Sequence, residues 1–234
     1  MIEPSHPQLT LNLTGVPDFD FDSFYPKGNE QLLHRLQALA SGREHGMFYL
    51  WGGNGAGKSH LLQALCLEAQ LGGIHCLYLA GRELQSMFPA VLQDIDGVEL
   101  LCLDDVDRLL QKPGWEEPLF HLYNRQRDAG HSLVVSALQP PQQLELDLPD
   151  LRSRFGAMER YQIHSLADDD KRSVLQRAAQ SRGFALAEDV AAYILQHSAR
   201  DMVSLQKVLN RLDQQSLTEQ RLITLPFVRK VMGW

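Results

Sequence analysis

The sequence contains the run Gly52-Gly53-Asn54-Gly55-Ala56-Gly57-Lys58-Ser59, which fits the spacing G-x-x-x-x-G-K-[ST]. Glycines at these places let consecutive backbone N–H groups turn toward one point and meet the oxygens of a polyphosphate. A helix that starts at the lysine adds the positive end of its dipole. In that chemistry Lys58 reaches the outer phosphates and the Ser59 hydroxyl ligates Mg²⁺. Gly53, Asn54, Gly55, Ala56 and Gly57 form the cradle. His60 either packs on the first helical turn or meets the nucleotide through its backbone N–H, and nothing in its setting marks it as a base. Further on, Leu100-Leu101-Cys102-Leu103-Asp104-Asp105 is four apolar residues ending in two acids, the form of a strand that delivers a carboxylate to Mg²⁺. Asp104 is the expected metal-side ligand. Asp105 is expected to orient or polarise an attacking water, which requires a carboxylate within hydrogen-bond reach. Acids also end strands and cap helices for ordinary reasons, so this pair takes its meaning from the glycine run upstream.

Such groups need a strand and a helix to aim them. Met47-Phe48-Tyr49-Leu50-Trp51 reads as a buried strand entering the glycines, and Leu61, Leu62, Leu65 and Ala69 as the helical stripe leaving them, ending at Gly72-Gly73. Leu32, Leu33, Leu36 and Leu39 mark an earlier helix. Strands are expected at 76–80, 100–103 and 132–136, with helices at about 83–93 and 115–128 between them. Continuous apolar strands alternating with helices imply an α/β fold, a parallel sheet covered on both faces. Past about Gln162 every stripe is helical: Val174, Leu175 and Ala178, then Val190, Ile194 and Leu195, then Met202, Leu205, Leu209 and Leu212, with Pro226 opening a last short helix. The chain therefore divides into a tail (1–17), an α/β domain (18–163) and a small all-helical domain (164–234). Asp168-Asp169-Asp170 suits the start of a helix electrostatically.

Composition narrows the classes further. The 234 residues, 44% apolar and 22% charged, suit a soluble globular chain, with no apolar run of the roughly 20 residues that cross a bilayer. The first residues show no signal-peptide pattern, so the expected location is cytoplasmic. Cys66, Cys76 and Cys102 sit far apart among apolar neighbours and read as buried free thiols. A net charge of −7 disfavours a role in coating DNA, whose affinity comes from Lys and Arg.

Two segments then bring a family into view. Leu151-Arg152-Ser153-Arg154-Phe155-Gly156 resembles the Box VII segment of the bacterial initiator DnaA, and Phe21-Asp22-Ser23-Phe24 resembles that family's opening AAA+ segment. From about Asp18 to Trp234 the chain resembles the AAA+ module of DnaA, without the DNA-binding helix-turn-helix domain that follows it in the initiators. Together with Gln8-Leu9-Thr10-Leu11-Asn12-Leu13, this is similar to the Hda family, DnaA-related regulatory inactivators whose N-terminal peptide binds the DNA polymerase sliding clamp. The resemblance implies an AAA+ fold with a helical lid, ADP or ATP with Mg²⁺ as ligands, and DnaA and the clamp's beta subunit as partners. It also implies self-association, no membrane and no dedicated DNA-binding domain. Arg154 would be an arginine finger acting on nucleotide held by a neighbouring DnaA subunit. Arg200 would be the sensor 2 arginine reaching this subunit's own phosphates. Phe24, Tyr25 and Pro26 would pass the base. Gln8, Leu9, Leu11 and Leu13 would enter a polar pocket and an apolar groove on the clamp.

Departures from the family pattern matter. Ala137 stands where the family has a polar or acidic sensor 1 residue, which puts hydrolysis of its own nucleotide in doubt. Strand alternation points the adjacent Ser136 to the other face. In the tail, Asn12 replaces a usual proline and Thr10 a smaller or acidic residue. The implied function is a nucleotide-bound regulator that, with DNA-loaded clamp, promotes hydrolysis of DnaA-bound ATP and restrains replication initiation. A free-standing loader-type ATPase that remodels a helicase or clamp is the alternative. A small-molecule P-loop kinase would need an acceptor site that the helical domain does not suggest.

Overall fold

The computed structural model describes residues 19–199 and 202–234. After a turn at 20–24, the elements follow as helix α1 (Glu30–Ala40), strand β1 (Met47–Trp51), α2 (Lys58–Leu71), β2 (Cys76–Ala80), α3 (Gly81–Leu84), β3 (Leu100–Asp104), α4 (Val106–Leu110), α5 (Glu116–Asp128), β4 (Ser132–Ala137), α6 (Pro149–Ala157) and β5 (Glu159–Gln162). The last four helices are α7 (Asp168–Ser181), α8 (Glu188–His197), α9 (Met202–Glu219) and α10 (Leu225–Met232). The strands form one sheet in the order β2-β3-β4-β1-β5, and every pairing is parallel. The α/β class and the helical second body expected from the sequence are both present.

Side-chain alternation splits the sheet into two cores. Phe48 and Leu50 of β1, Leu100 and Cys102 of β3 and Val134 of β4 pack under α1 and α2. Tyr49, Leu101, Leu103, Leu133, Val135 and Ala137 face the other way, with Trp115, Leu119, Leu122 and Phe155. A third core, built on Leu175, Ile194, Leu205, Leu209 and Val228, belongs to the terminal helices alone. The three cysteines are free and buried. A thiol hydrogen bond with Cys76 and then burial push the Cys66 thiol well up, which keeps it protonated and unreactive. No helix among the described residues is long and apolar enough to cross a membrane.

One local expectation needs correction, and two elements were not read from the sequence. The stretch 83–93 is not one helix: α3 ends at Leu84, and a separate 3-10 turn spans Pro89–Leu92 with proline in its first positions. A proline lacks the N–H to continue a helix and pushes the residue before it toward extended backbone, and Phe88 there has ψ 141°. Box VII forms a helix, α6, although it buries only Leu151 and Phe155. The sheet also has a fifth strand, Glu-Arg-Tyr-Gln, whose residues are exposed or half-buried because it lies at the sheet's edge.

Phe48 is fully buried, its ring stacked on Tyr161 with the Arg35 guanidinium 5.5 Å from its centroid. Removing that ring leaves a cavity the sheet cannot close. Phe48→Ala should lower the unfolding free energy in urea by about 3–5 kcal/mol, whereas Leu222→Ala, at a residue 87% exposed, should change it by less than about 0.5 kcal/mol.

Candidate functional site

The glycine run leaves the end of β1 and turns into α2 in the order its spacing requires. Gly57 is the residue before α2 and has φ 103°, a left-handed conformation strained for any side chain. A Cβ there would also lie 2.8 Å from Cε2 of Phe24. Lys58 is 6% exposed, and its Nζ donates to the carbonyls of Gly52 at 2.9 Å and Gly53 at 3.1 Å. These bonds hold a buried cation at the mouth of the loop.

Around the loop lies a cavity of about 430 Å³. Asn54, Gly55, Ala56, Gly57, Lys58, Ser59 and His60 form one wall, and Phe24, Tyr25 and Asn29 form the next. Asp105 closes the end nearest β3, while Lys171, Val174, Met202 and Gln206 reach in from α7 and α9. Pro26 lines an adjoining cavity of about 400 Å³ between residues 20–26 and the same two helices, with Arg177 5.5 Å from the Tyr25 ring centroid. The segment before α1 is tied down on both sides. Lys27 Nζ meets both oxygens of Asp170 on α7, at 2.9 and 3.0 Å. Asn29, at the start of α1, accepts the His164 N–H at 3.0 Å and donates to the His164 carbonyl at 3.4 Å. Its side chain clamps the connector into the helical body and does not cap its own helix. His60 also joins this segment: its Nε2 lies 2.9 Å from the Asp20 carbonyl, an acceptor only, so Nε2 carries the proton.

At the end of β3, Asp104 is 3% exposed and both of its oxygens accept hydroxyl protons, one from Tyr78 Oη at 2.7 Å and one from Ser136 Oγ. The orientation of Ser136 therefore differs in consequence from the expectation. It does face away from Ala137, but the parallel register Leu103↔Val135 carries one residue further and sets Ser136 beside Asp104, on the α2 face. Ala137 is buried in the opposite core, in register with Trp51. Asp105 has φ 51°, donates its backbone N–H to Ser136 Oγ at 2.9 Å and places Oδ2 3.3 Å from Arg108 Nε. Burial, and then the charge of Asp104, push the Tyr78 phenol far above its ordinary value, so Tyr78 is a donor.

Arg154 stands elsewhere. It lies half-buried in the last turn of α6, its Cζ 5.7 Å from the Phe120 ring centroid and 5.8 Å from that of Tyr123, both on α5. Among the described residues it has no carboxylate partner, and it does not line the nucleotide-sized cavity. Glu116 of α5 accepts the N–H groups of Asp147 and Leu148 at 3.1 and 2.6 Å and so fixes the approach to α6. Arg200 and the tail residues Gln8, Leu9, Leu11 and Leu13 lie outside the described residues. Sequence reading missed Tyr78, Gln63, Arg82 and Lys171 as cavity residues; none sits in a motif, and their convergence depends on strand order and on how α7 docks.

Comparison with known proteins gives this geometry a family. A model of the bacterial DnaA ATPase domain matches residues 16–158, and a model of the Hda lid domain matches residues 168–232. The chain belongs to the DnaA-related AAA+ family. Its lid is of the Hda type, which places it among DnaA-related replication regulators. A Haemophilus influenzae protein described only as uncharacterised is 38% identical over 227 residues, covering 97% of this chain and 98% of that protein. Among solved structures, domain III of the Thermotoga maritima replication initiation protein DnaA superposes with a TM-score of 0.77 at 21% identity, over 93% of this chain and 96% of that one. AMPPCP-bound DnaA from Aquifex aeolicus gives 0.72 at 21% identity, over 87% of this chain and 67% of that one. At such identities the likeness is one of fold, and this DnaA-like fold is the one the cavity belongs to.

Two substitutions separate the loop's shape from its flexibility. Gly57→Ala combines a left-handed φ with the Phe24 collision and should weaken ADP binding at least about ten-fold, the equivalent of roughly 1.4 kcal/mol of strain. A Cβ on Gly53 meets nothing within 4 Å, so Gly53→Ala should stay within about three-fold of the parent, both read by competition against a fluorescent ADP.

Proposed function

We propose that this protein is a nucleotide-bound AAA+ regulator that, together with the DNA-loaded sliding clamp, promotes hydrolysis of ATP bound to DnaA and so restrains replication initiation. The observation that carries this reading is the placement of Arg154. A guanidinium that served this subunit's own nucleotide would border the cavity, and one held by an ion pair would have a carboxylate beside it. Arg154 does neither. It rests over two aromatic rings, which favour its charge and its orientation without consuming its N–H donors. An arginine presented this way suits a γ-phosphate on another subunit, where neutralising the developing charge accelerates transfer by roughly a thousand-fold or more.

The cavity supports the nucleotide half of the reading. Its size, the loop's N–H groups, Lys58 and the apolar faces of Phe24, Tyr25, Val174 and Met202 fit a nucleoside diphosphate or triphosphate. Ser59, at the phosphate end of the cavity, and the Asp104 carboxylate, set behind Tyr78, are hard oxygen ligands and would hold Mg²⁺, which would neutralise phosphate charge when bound. Clamp binding through Gln8, Leu9, Leu11 and Leu13, the sensor 2 role of Arg200 and self-association rest on the sequence resemblance alone. The loader-type alternative draws on Asp105, a cavity-lining residue like Lys58, whose carboxylate would orient a water there.

The decisive assay is hydrolysis of ATP preloaded on DnaA in the presence of DNA-loaded clamp. The intact chain should accelerate it, Arg154→Ala should lower that acceleration by at least about 100-fold, and deletion of residues 1–13 should abolish clamp capture. Acceleration that survives Arg154→Ala sinks the proposal. ATP turnover by the isolated protein that is lost in Asp105→Asn would move the assignment to the loader.

A further inference from the structure

Asp104 does not border the cavity directly; Tyr78 and Gln63 do, and Asp104 lies behind them. What faces its carboxylate therefore decides how it can serve a cation on the cavity side. A hydroxyl is both donor and acceptor, and its proton goes where its lone pairs are not engaged. Tyr78 Oη accepts from Gln63 Nε2 at 3.3 Å, and Ser136 Oγ accepts from the Asp105 backbone N–H at 2.9 Å. Neither amide nitrogen can accept a proton in return. Both hydroxyl protons are thereby committed to Asp104, one to each oxygen.

The four groups come from four places: Gln63 on α2, Tyr78 on β2, Ser136 on β4 and the Asp105 amide at the turn after β3. A carboxylate on a single bond to its chain rotates freely unless each oxygen is held. Here each is held by a donor that is itself held. Such a carboxylate has about four lone-pair sites, so two donors fix its plane and leave the remaining lone pairs directed by that plane.

We propose that Tyr78 and Ser136 are positioning residues that lock the Asp104 carboxylate for Mg²⁺, so that the coupling between nucleotide binding and Mg²⁺ runs through this hydroxyl pair. The inference rests on Asp104 being the Mg²⁺-side acid. Gln63 supports it by holding the Tyr78 proton in place.

The experiment compares the affinity of the full chain for ADP in excess Mg²⁺ and in EDTA, and takes the ratio. Asp104→Asn should reduce the ratio nearly to one. Tyr78→Phe and Ser136→Ala should each reduce it about ten-fold, as loss of a group that orients a metal ligand does, while Ser136→Ala, outside the cavity lining, keeps its affinity in EDTA within about three-fold of the parent. Gln63→Leu should reduce the ratio by less than Tyr78→Phe. If Tyr78→Phe and Ser136→Ala keep the parent ratio while Asp104→Asn loses it, the hydroxyl pair does not position Asp104 and the proposal is overturned. It is equally overturned if both affinities of Ser136→Ala fall together, since the hydroxyl would then only hold the fold. A parent ratio in Asp104→Asn itself would overturn the assignment of Asp104 and this proposal with it. None of these outcomes bears on Arg154, whose assay uses nucleotide on DnaA.

Discussion

Parallel strands must all end on the same edge of their sheet, and the site is assembled from that edge. The glycine loop leaves β1, the acid pair ends β3, Ala137 ends β4, and the connector to the helical body follows β5. The ladder continues past the strands, with Gly52 N–H on the Ala137 carbonyl at 3.3 Å and Ile163 N–H on that of Trp51 at 2.7 Å. The loop, the β4 exit and the start of the connector are thus braced against one another by backbone alone. Open α/β sheets bind ligands at this end for the same reason. Strand order adds a second requirement: with β4 between β1 and β3, the β3 acids and the loop can meet only across the β4 exit, which is where Ser136 lies.

The helical body completes the cavity with little direct attachment to the sheet. Its own core is closed, and its ties to the α/β body include the Lys27–Asp170 pair, the Asn29–His164 clamp and side chains of α7 and α9 at the cavity wall. Lys27 is well exposed, and an ion pair of that kind stabilises by less than about 1 kcal/mol. Asp170 nevertheless holds the Lys27 ammonium above its ordinary pKa. A ligand between the two bodies would touch Lys58 on one side and Lys171 on the other, so its binding energy can exceed that of the ties already there. The opening between the bodies is therefore the part of the molecule that a ligand would stabilise most.

Much of this was legible in residue order, and the limits have physical causes. Strands buried on both faces announce themselves as apolar runs, so β1 through β4 could be read almost to the residue. β5 could not, because an edge strand covered on few sides need not be apolar, and Glu159-Arg160-Tyr161-Gln162 is not. The glycine loop is a local device and was legible as one. Tyr78 was not, because its value lies in a partner 26 residues away. Ser136 shows the same limit more sharply. Alternation within β4 gave its orientation relative to Ala137 correctly, but which neighbour it meets depends on the register with β3, and register is a property of two strands.

The two halves of the proposed activity also occupy opposite faces of the sheet. Asp104, Ser136, Tyr78 and α2 belong to one face, whereas Arg154 is carried by α5 and α6 on the other. Charge explains why this separation is useful. A guanidinium beside Asp104 and Asp105 would pair with them and lose the donors a foreign phosphate needs. Over Phe120 and Tyr123 its Cζ lies 5.7 and 5.8 Å from the ring centroids, and the attraction of a ring face for a cation consumes none of its N–H donors. Glu116, by anchoring the residues before α6 through their backbone N–H groups, spends its carboxylate on the loop and not on Arg154. The same helix thus carries the two rings that hold the arginine and an acid already engaged elsewhere, an arrangement that suits the proposed role toward an anion on another subunit.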